Sequence, residues 1–355
     1  MDYLIVFADL ISSTEVAVEL DPENYAKEYI ASFNWSVLRA EEFVRMRIEH
    51  AHPRLHFEPA IQGVDPRGDE AICFQSIDAT AGARDGPDLV ASAVAWAYVT
   101  KLFWMAAPYN LRRIVKHQFP RDIAFGLHIG PAAIVPCTKK EAIASLHINM
   151  TKRIESEARE GGCSRIFASV DVIEKFQEWQ YQIEHVVPKN QLPPLYYTGF
   201  EPREPLRPNT LKGLSIPVEL WELVPEVFLP KNLPYLFGGV GHLVDPNSVA
   251  GVMAKGMAET FFGTCFFHGA DNELAIKFEI PGINDPKTYV DTWFSALEGR
   301  TRLFMGEPWT LFNCYFISCA FIHFLGADGR DRKPIVEELF ASAKRAWERT
   351  RSGSE

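Results

Sequence analysis

VFADLISSTEVA, Val6 to Ala17, ends an apolar run in an aspartate and continues into a serine-rich turn. Tyr3 to Ala8 is apolar and β-forming throughout, the pattern of a fully buried strand, so Asp9 is held where a bare carboxylate is costly to desolvate. It needs a partner. The plain alternative is a cap, with Asp9 or a following serine accepting from the first amides of the next helix.

A second carboxylate stands in GDEAICF, Gly68 to Phe74, where Asp69 taken alone reads as a turn residue. Together with Asp9 it makes two carboxylates at the tips of neighbouring buried strands. That is the oxygen set Mg²⁺ or Mn²⁺ uses when water and substrate phosphates supply its other ligands. A third element, INMTKRIE, Ile148 to Glu155, puts Asn149 and Arg153 four apart on one helix face. An amide beside a guanidinium suits a sugar and a phosphate oxyanion; a solvated surface pair is the bland reading.

Around these stretches the elements alternate. Residues 21–50 open on Asp-Pro and carry apolar side chains at helical spacing, which predicts a long helix. LHFEPAIQGVDPRGDEAICFQS predicts a strand pair around a Pro/Gly/Asp-rich turn. A second helix covers about 87–115 with a break near Pro108, and DIAFGLHIGPAAIVPC predicts two strands around Gly130-Pro131. LHINMTKRIESEAREGG predicts a helix ended by its glycines, and SRIFAS a strand. PKNQLPPLYYTGFEPREPLRPN is expected to be a long loop before closing strands in LKGLSIPVELWELV. The whole predicts an α+β layer, helices on a largely antiparallel sheet, over residues 1–228. A smaller α/β unit is expected over 229–355.

Composition narrows the function. The 355 residues are 47% hydrophobic and 12% aromatic, enough for a large core, and the net charge of −10 argues against direct nucleic-acid binding or a general grip on an anionic membrane. A polyanionic substrate would need charge supplied locally. The six cysteines form no CxxC pair, so reduced, mostly buried thiols are expected. MDYLIVFADL lacks a basic signal-peptide start, and the apolar stretches fall short of a membrane span, so no membrane insertion and a cytoplasmic location are expected.

FADLISST, GDEAICF, FGLHIG, INMTKRIE and LKG occur in the order in which class III nucleotidyl cyclases, the adenylate and guanylate cyclase catalytic domains, carry their motifs. The resemblance covers roughly residues 1–224. It implies the ferredoxin-like class III cyclase fold, with Asp9 and Asp69 as the metal aspartates for two Mg²⁺ or Mn²⁺ ions. The backbone of Leu10 would also ligate metal, and Leu10, Ile11, Ser12, Ser13 and Thr14 would cradle the triphosphate. Asn149 matches the ribose-orienting asparagine, Arg153 the arginine that stabilises the transition state, and Lys212 a phosphate-binding lysine; His128 is a structural strand residue. In that family the aspartates of one subunit face the Asn/Arg helix of another, which implies a homodimer with two shared sites. The implied reaction is in-line attack of the ribose 3′-oxygen on the α-phosphorus with release of pyrophosphate.

The base-reading positions depart from the adenylate pattern. Where adenylate cyclases place a lysine and a polar group, this chain has Asp65 and Ala142. An aspartate facing adenine N1 sets acceptor against acceptor, at a cost of roughly 1–3 kcal/mol per buried unpaired group, so ATP is disfavoured. Asp65 suits an N–H, at uracil N3 or guanine N1, with Arg67 near enough in sequence to donate to the adjacent carbonyl; cytosine N3 fits poorly. Lack of the purine-reading pair and a C-terminal appendage are similar to the uridylate and cytidylate cyclases of bacterial Pycsar anti-phage systems. That resemblance implies UTP as substrate, cyclic UMP as product and a separate cyclic-nucleotide effector. A guanylate or cytidylate cyclase, or a silent nucleotide-binding or dimerisation module, are the alternatives.

Overall fold

The computed structural model describes residues 2–51, 63–77, 85–116, 118–136, 141–162, 164–185, 198–207 and 217–225, together with Thr292 and Ser295. Lys212 and, those two residues apart, the expected unit at 229–355 lie outside them. Of the cysteines, Cys73 is described and is buried. In chain order the elements are β1 (Asp2–Leu10), α1 (Ser13–Glu19) and α2 (Pro22–Asn24), which runs through a π-helical turn at Tyr25–Ile30 into α3 (Ala31–Ala51). Then follow β2 (Asp65–Arg67), β3 (Glu70–Ile77), α4 (Asp85–Ala106), α5 (Pro108–Val115), β4 (Ile123–Pro131), β5 (Ala133–Pro136) and β6 (Glu141–Ala144). The last are α6 (Leu146–Ala158), β7 (Ile166–Ser169), α7 (Val170–Glu184), β8 (Thr198–Leu206) and β9 (Val218–Pro225).

β1 is buried from Tyr3 to Leu10, as its unbroken apolar run implies. It pairs antiparallel with β3 on one side and β4 on the other, within a seven-stranded sheet of order β2-β3-β1-β4-β7-β9-β8. β5 and β6 form a separate two-stranded ribbon. The fold is mixed α+β, as expected, and the sheet is antiparallel except where β7 runs parallel to β4.

Alternation along β1 sends its residues to two different cores. Leu4, Val6, Ala8 and Leu10 are fully buried, and the helices α3, α4 and α7 pack on one another on one side of the sheet. There the Trp96 ring meets Phe125 edge-on at 5.4 Å and its Nε1 donates to the Val37 carbonyl at 2.9 Å. Tyr3, Ile5 and Phe7 cluster instead with Ile72, Phe74 and Ile148 of α6. Asp9, two residues after Phe7, falls on this second side. α6 lies close against β4 because Gly126 has no side chain: a Cβ there would stand 2.5 Å from the Thr151 carbonyl and the Glu155 amide.

Helix starts follow local chemistry. Asp21 caps α2, its Oδ1 accepting from the amides of Glu23 and Asn24 at 3.1 and 3.0 Å with Pro22 in the first turn. Ser145 caps α6 by accepting from the His147 amide at 3.0 Å. α4 is as apolar as its sequence suggests, yet among the described residues no helix is long and apolar enough to cross a membrane.

Two elements correct the sequence expectation. The proline-rich stretch expected as a long loop contains β8, with Pro202 inside the strand and a register irregularity between Arg203 and Leu206. β8 is the edge of the sheet, the position where a residue without an N–H is tolerated. α7 has no counterpart in the sequence expectation; its buried face of Val172, Ile173, Phe176, Trp179 and Ile183 packs against α4.

Candidate active site

The two aspartates come together where β1 ends and the β2–β3 hairpin turns. Leu10 N donates to the Asp69 carbonyl at 3.0 Å, which ties the hairpin tip to the end of β1. Ser13 Oγ donates to Asp69 Oδ2 at 2.5 Å, so the serine-rich turn is clamped to the second carboxylate. Ser12 holds a left-handed backbone, φ 63°, which reverses the chain into α1. Of the five cradle residues, Leu10 and Ile11 spend their amides on Asp69 and Asp122. Ser12, Ser13 and Thr14 lead into a helix whose first-turn amides have no intrahelical acceptor.

Asp9 is 7% exposed. Burial pushes its carboxyl above the ordinary range and the neighbouring Asp69 charge adds to this, while Lys152 and Arg159 pull it back. Both cations reach the same oxygen: Lys152 Nζ lies 2.7 Å and Arg159 Nη2 2.5 Å from Asp9 Oδ2. Lys152 also contacts Glu70 Oε2 at 3.0 Å and stands over the Phe7 ring. Arg159 Nε donates to Glu155 Oε1 at 2.8 Å. The Tyr25 hydroxyl is raised by burial and then by Asp69 and Asp9, an aromatic neighbour of both carboxylates.

Asn149 and Arg153 occupy a different face of α6. Both are exposed, and at about 100° per residue Arg153 lies about 100° round the helix from Lys152, which reaches Asp9 of its own chain, while Asn149 lies about 60° from Lys152. Asp65 and Arg67 sit beside each other on β2, Arg67 Nε donating to Asp65 Oδ2 at 2.8 Å with both side chains more than half exposed. Ala142 lies on β6 opposite Val135.

The carboxylate pair fits a hard divalent cation. Two acidic oxygen donors raise one another's need for positive charge, and in this structure an ammonium and a guanidinium already crowd one of them. Among the described residues no group of three or more His, Cys, Asp or Glu side chains could hold a metal. Any ion here would therefore draw its other ligands from backbone, water and substrate.

Lys152, Arg159, Glu70, Glu155 and Tyr25 were not singled out from sequence. A signal existed for three of them: Lys152, Glu155 and Arg159 are three and four apart, a charged stripe along one flank of α6.

His128 behaves as the structural residue expected. It is 3% exposed, with Nδ1 2.8 Å from Ser169 Oγ and Nε2 2.7 Å from His147 Nδ1. Burial first and His147 second hold its ring down to about 3. An unfolded histidine protonates near 6.5, so the stability His128 contributes is fully present above that pH and is lost as pH falls from about 6.5 towards 3. Urea unfolding of wild type and His128→Gln should show their stability difference shrinking by on the order of 1 kcal/mol per unit between pH 6 and pH 4. Parallel slopes in the two proteins would remove His128 from that account.

No protein-family model matches the chain, nor does any curated protein. Among solved structures it is similar to the guanylyl cyclase Cya2, at 19% identity and TM-score 0.34, over 63% of this chain and 91% of that one. A second is the non-canonical dimeric guanylyl cyclase domain of the RhoGC fusion protein from the aquatic fungus Blastocladiella emersonii, at 12% identity and TM-score 0.37, over 63% and 96%. A third is an adenylate cyclase from Trypanosoma brucei, at 15% identity and TM-score 0.36, over 63% and 88%.

Proposed function

We propose that the chain is a class III nucleotidyl cyclase that converts a nucleoside triphosphate, UTP first among them, to its 3′,5′-cyclic monophosphate and pyrophosphate. The observation that carries the reading is the meeting of Asp9 and Asp69 beside a serine turn, next to a helix that presents Asn149 and Arg153 outward. Divalent ions held by Asp9, Asp69 and the Leu10 carbonyl would supply positive charge to the triphosphate and to the attacking ribose oxygen. The chain's own groups do the rest. First-turn amides of Ser12 to Thr14 receive phosphate oxygens, Asn149 orients the ribose, and Arg153 donates its fork to the oxyanion that gains charge at the α-phosphorus. Lys212 is assigned to phosphate binding on its motif.

The outward set of Asn149 and Arg153 favours a site shared between two copies, each providing aspartates to one pocket and α6 to the other. Asp65 with its bound Arg67 is an acceptor beside a donor fork, complementary to N3–H and O4 of uracil. Guanine N1–H and O6 have the same pattern, which keeps GTP as the second reading. In the cyclic UMP reading the product is an anti-phage signal received by a separate effector.

Incubation of the purified chain with Mn²⁺ and each of ATP, GTP, UTP and CTP, with products identified by mass, tests this. Cyclic UMP is expected to dominate and ATP to be the poorest purine. Dominant cyclic GMP would keep the chemistry and overturn the base assignment; no cyclic product from any of the four would favour a nucleotide-binding or dimerisation module.

A further inference from the structure

We propose that Lys152 and Arg159 are resident counter-cations of Asp9, and that a divalent ion reaches this carboxylate only by displacing them. The inference rests on the metal assignment above. Both cations converge on Asp9 Oδ2, at 2.7 and 2.5 Å, and Asp9 is nearly buried, so their charge bears directly on any further cation brought to the same carboxylate.

Each cation has somewhere to go. Arg159 already donates Nε to Glu155 Oε1 at 2.8 Å and keeps that partner when Nη2 leaves Asp9. Lys152 keeps Glu70 Oε2 at 3.0 Å. Glu155 Oε2, on a fully buried side chain, makes no hydrogen bond and lies 3.4 Å from Lys152 Nζ, so the ammonium gains an acceptor by a shift of a few tenths of an ångström towards it. With about a third of each cationic side chain exposed, neither is locked in place. The stripe on α6 therefore closes the aspartate when metal is absent and stores the released charges on Glu70 and Glu155 when metal arrives. Without nucleotide, whose phosphates add ligands, the metal competes against two fixed charges and binds weakly.

The test is equilibrium binding of Mn²⁺ alone to the full chain without nucleotide, followed by the electron-paramagnetic-resonance signal of free Mn²⁺. Lys152→Gln and Arg159→Gln are each expected to tighten binding severalfold, and the double variant by about tenfold or more, from loss of like charge beside the ion. Lys152→Arg keeps the charge and should keep the wild-type affinity. In wild type, acylation of Lys152 read by mass spectrometry should rise severalfold when Mn²⁺ is added, which needs no variant to fold. Equal affinity in wild type and all folded variants, with Lys152 acylation unchanged by Mn²⁺, would overturn the displacement while leaving the metal assignment standing. If no protein binds Mn²⁺ even at millimolar concentration, the metal assignment fails and the displacement with it.

Discussion

Asp69→Ala is expected to lower cyclic-nucleotide formation by on the order of 10³-fold if, as proposed, Asp69 holds a divalent ion, since losing one metal carboxylate removes several kcal/mol of transition-state charge stabilisation. The fold should survive. The Leu10 amide is received by the backbone carbonyl of Asp69, which alanine retains, so the hairpin tip stays docked on β1. What is lost structurally is the Ser13 Oγ contact, worth about 1 kcal/mol. Asp9 is the poorer probe: its removal releases Lys152 and Arg159 onto Glu70 and Glu155, so a loss of activity would mix lost metal binding with rearranged charge. Product should be quantified alongside circular dichroism and oligomer mass. Turnover within tenfold of wild type, in a variant of unchanged mass and fold, would mean that Asp69 holds no metal.

Asp9 and Asp69 were legible in the sequence because each is marked locally, one by the apolar run it terminates and the other by the glycine turn before a strand. Their meeting follows from β1 and β3 being neighbours, which the order of elements already suggested. The cations on Asp9 were not legible. Lys152 lies 143 positions away in sequence, and its contact depends on how closely α6 settles on β4, which Gly126 sets. Nor was β8, since its prolines argue for a loop until the strand is known to be an edge. The pairing of β7 parallel to β4 was likewise invisible, because four buried residues, Ile166 to Ser169, carry no mark of strand direction.

The face that α6 turns outward leads to the second large effect. Arg153→Ala should be as damaging as Asp69→Ala, on the order of 10²–10³-fold, if its guanidinium meets the oxyanion. In the proposed shared-site dimer, an equal mixture of the two inactive proteins, allowed to exchange subunits, should then recover about a quarter of wild-type activity: half of the dimers would be mixed, and each mixed dimer would assemble one site from its two unmutated halves. The opposite arrangement predicts nothing. Were Asp69 and Arg153 to serve one pocket within a single chain, every chain in the mixture would carry a damaged site and no exchange could repair it. Arg153 is exposed and lies about 100° around the helix from Lys152, the residue that does reach the chain's own Asp9. That separation is why recovery is expected. A mixture that stays inactive after exchange has been verified by mass would return Arg153 to its own chain's site or remove it from catalysis.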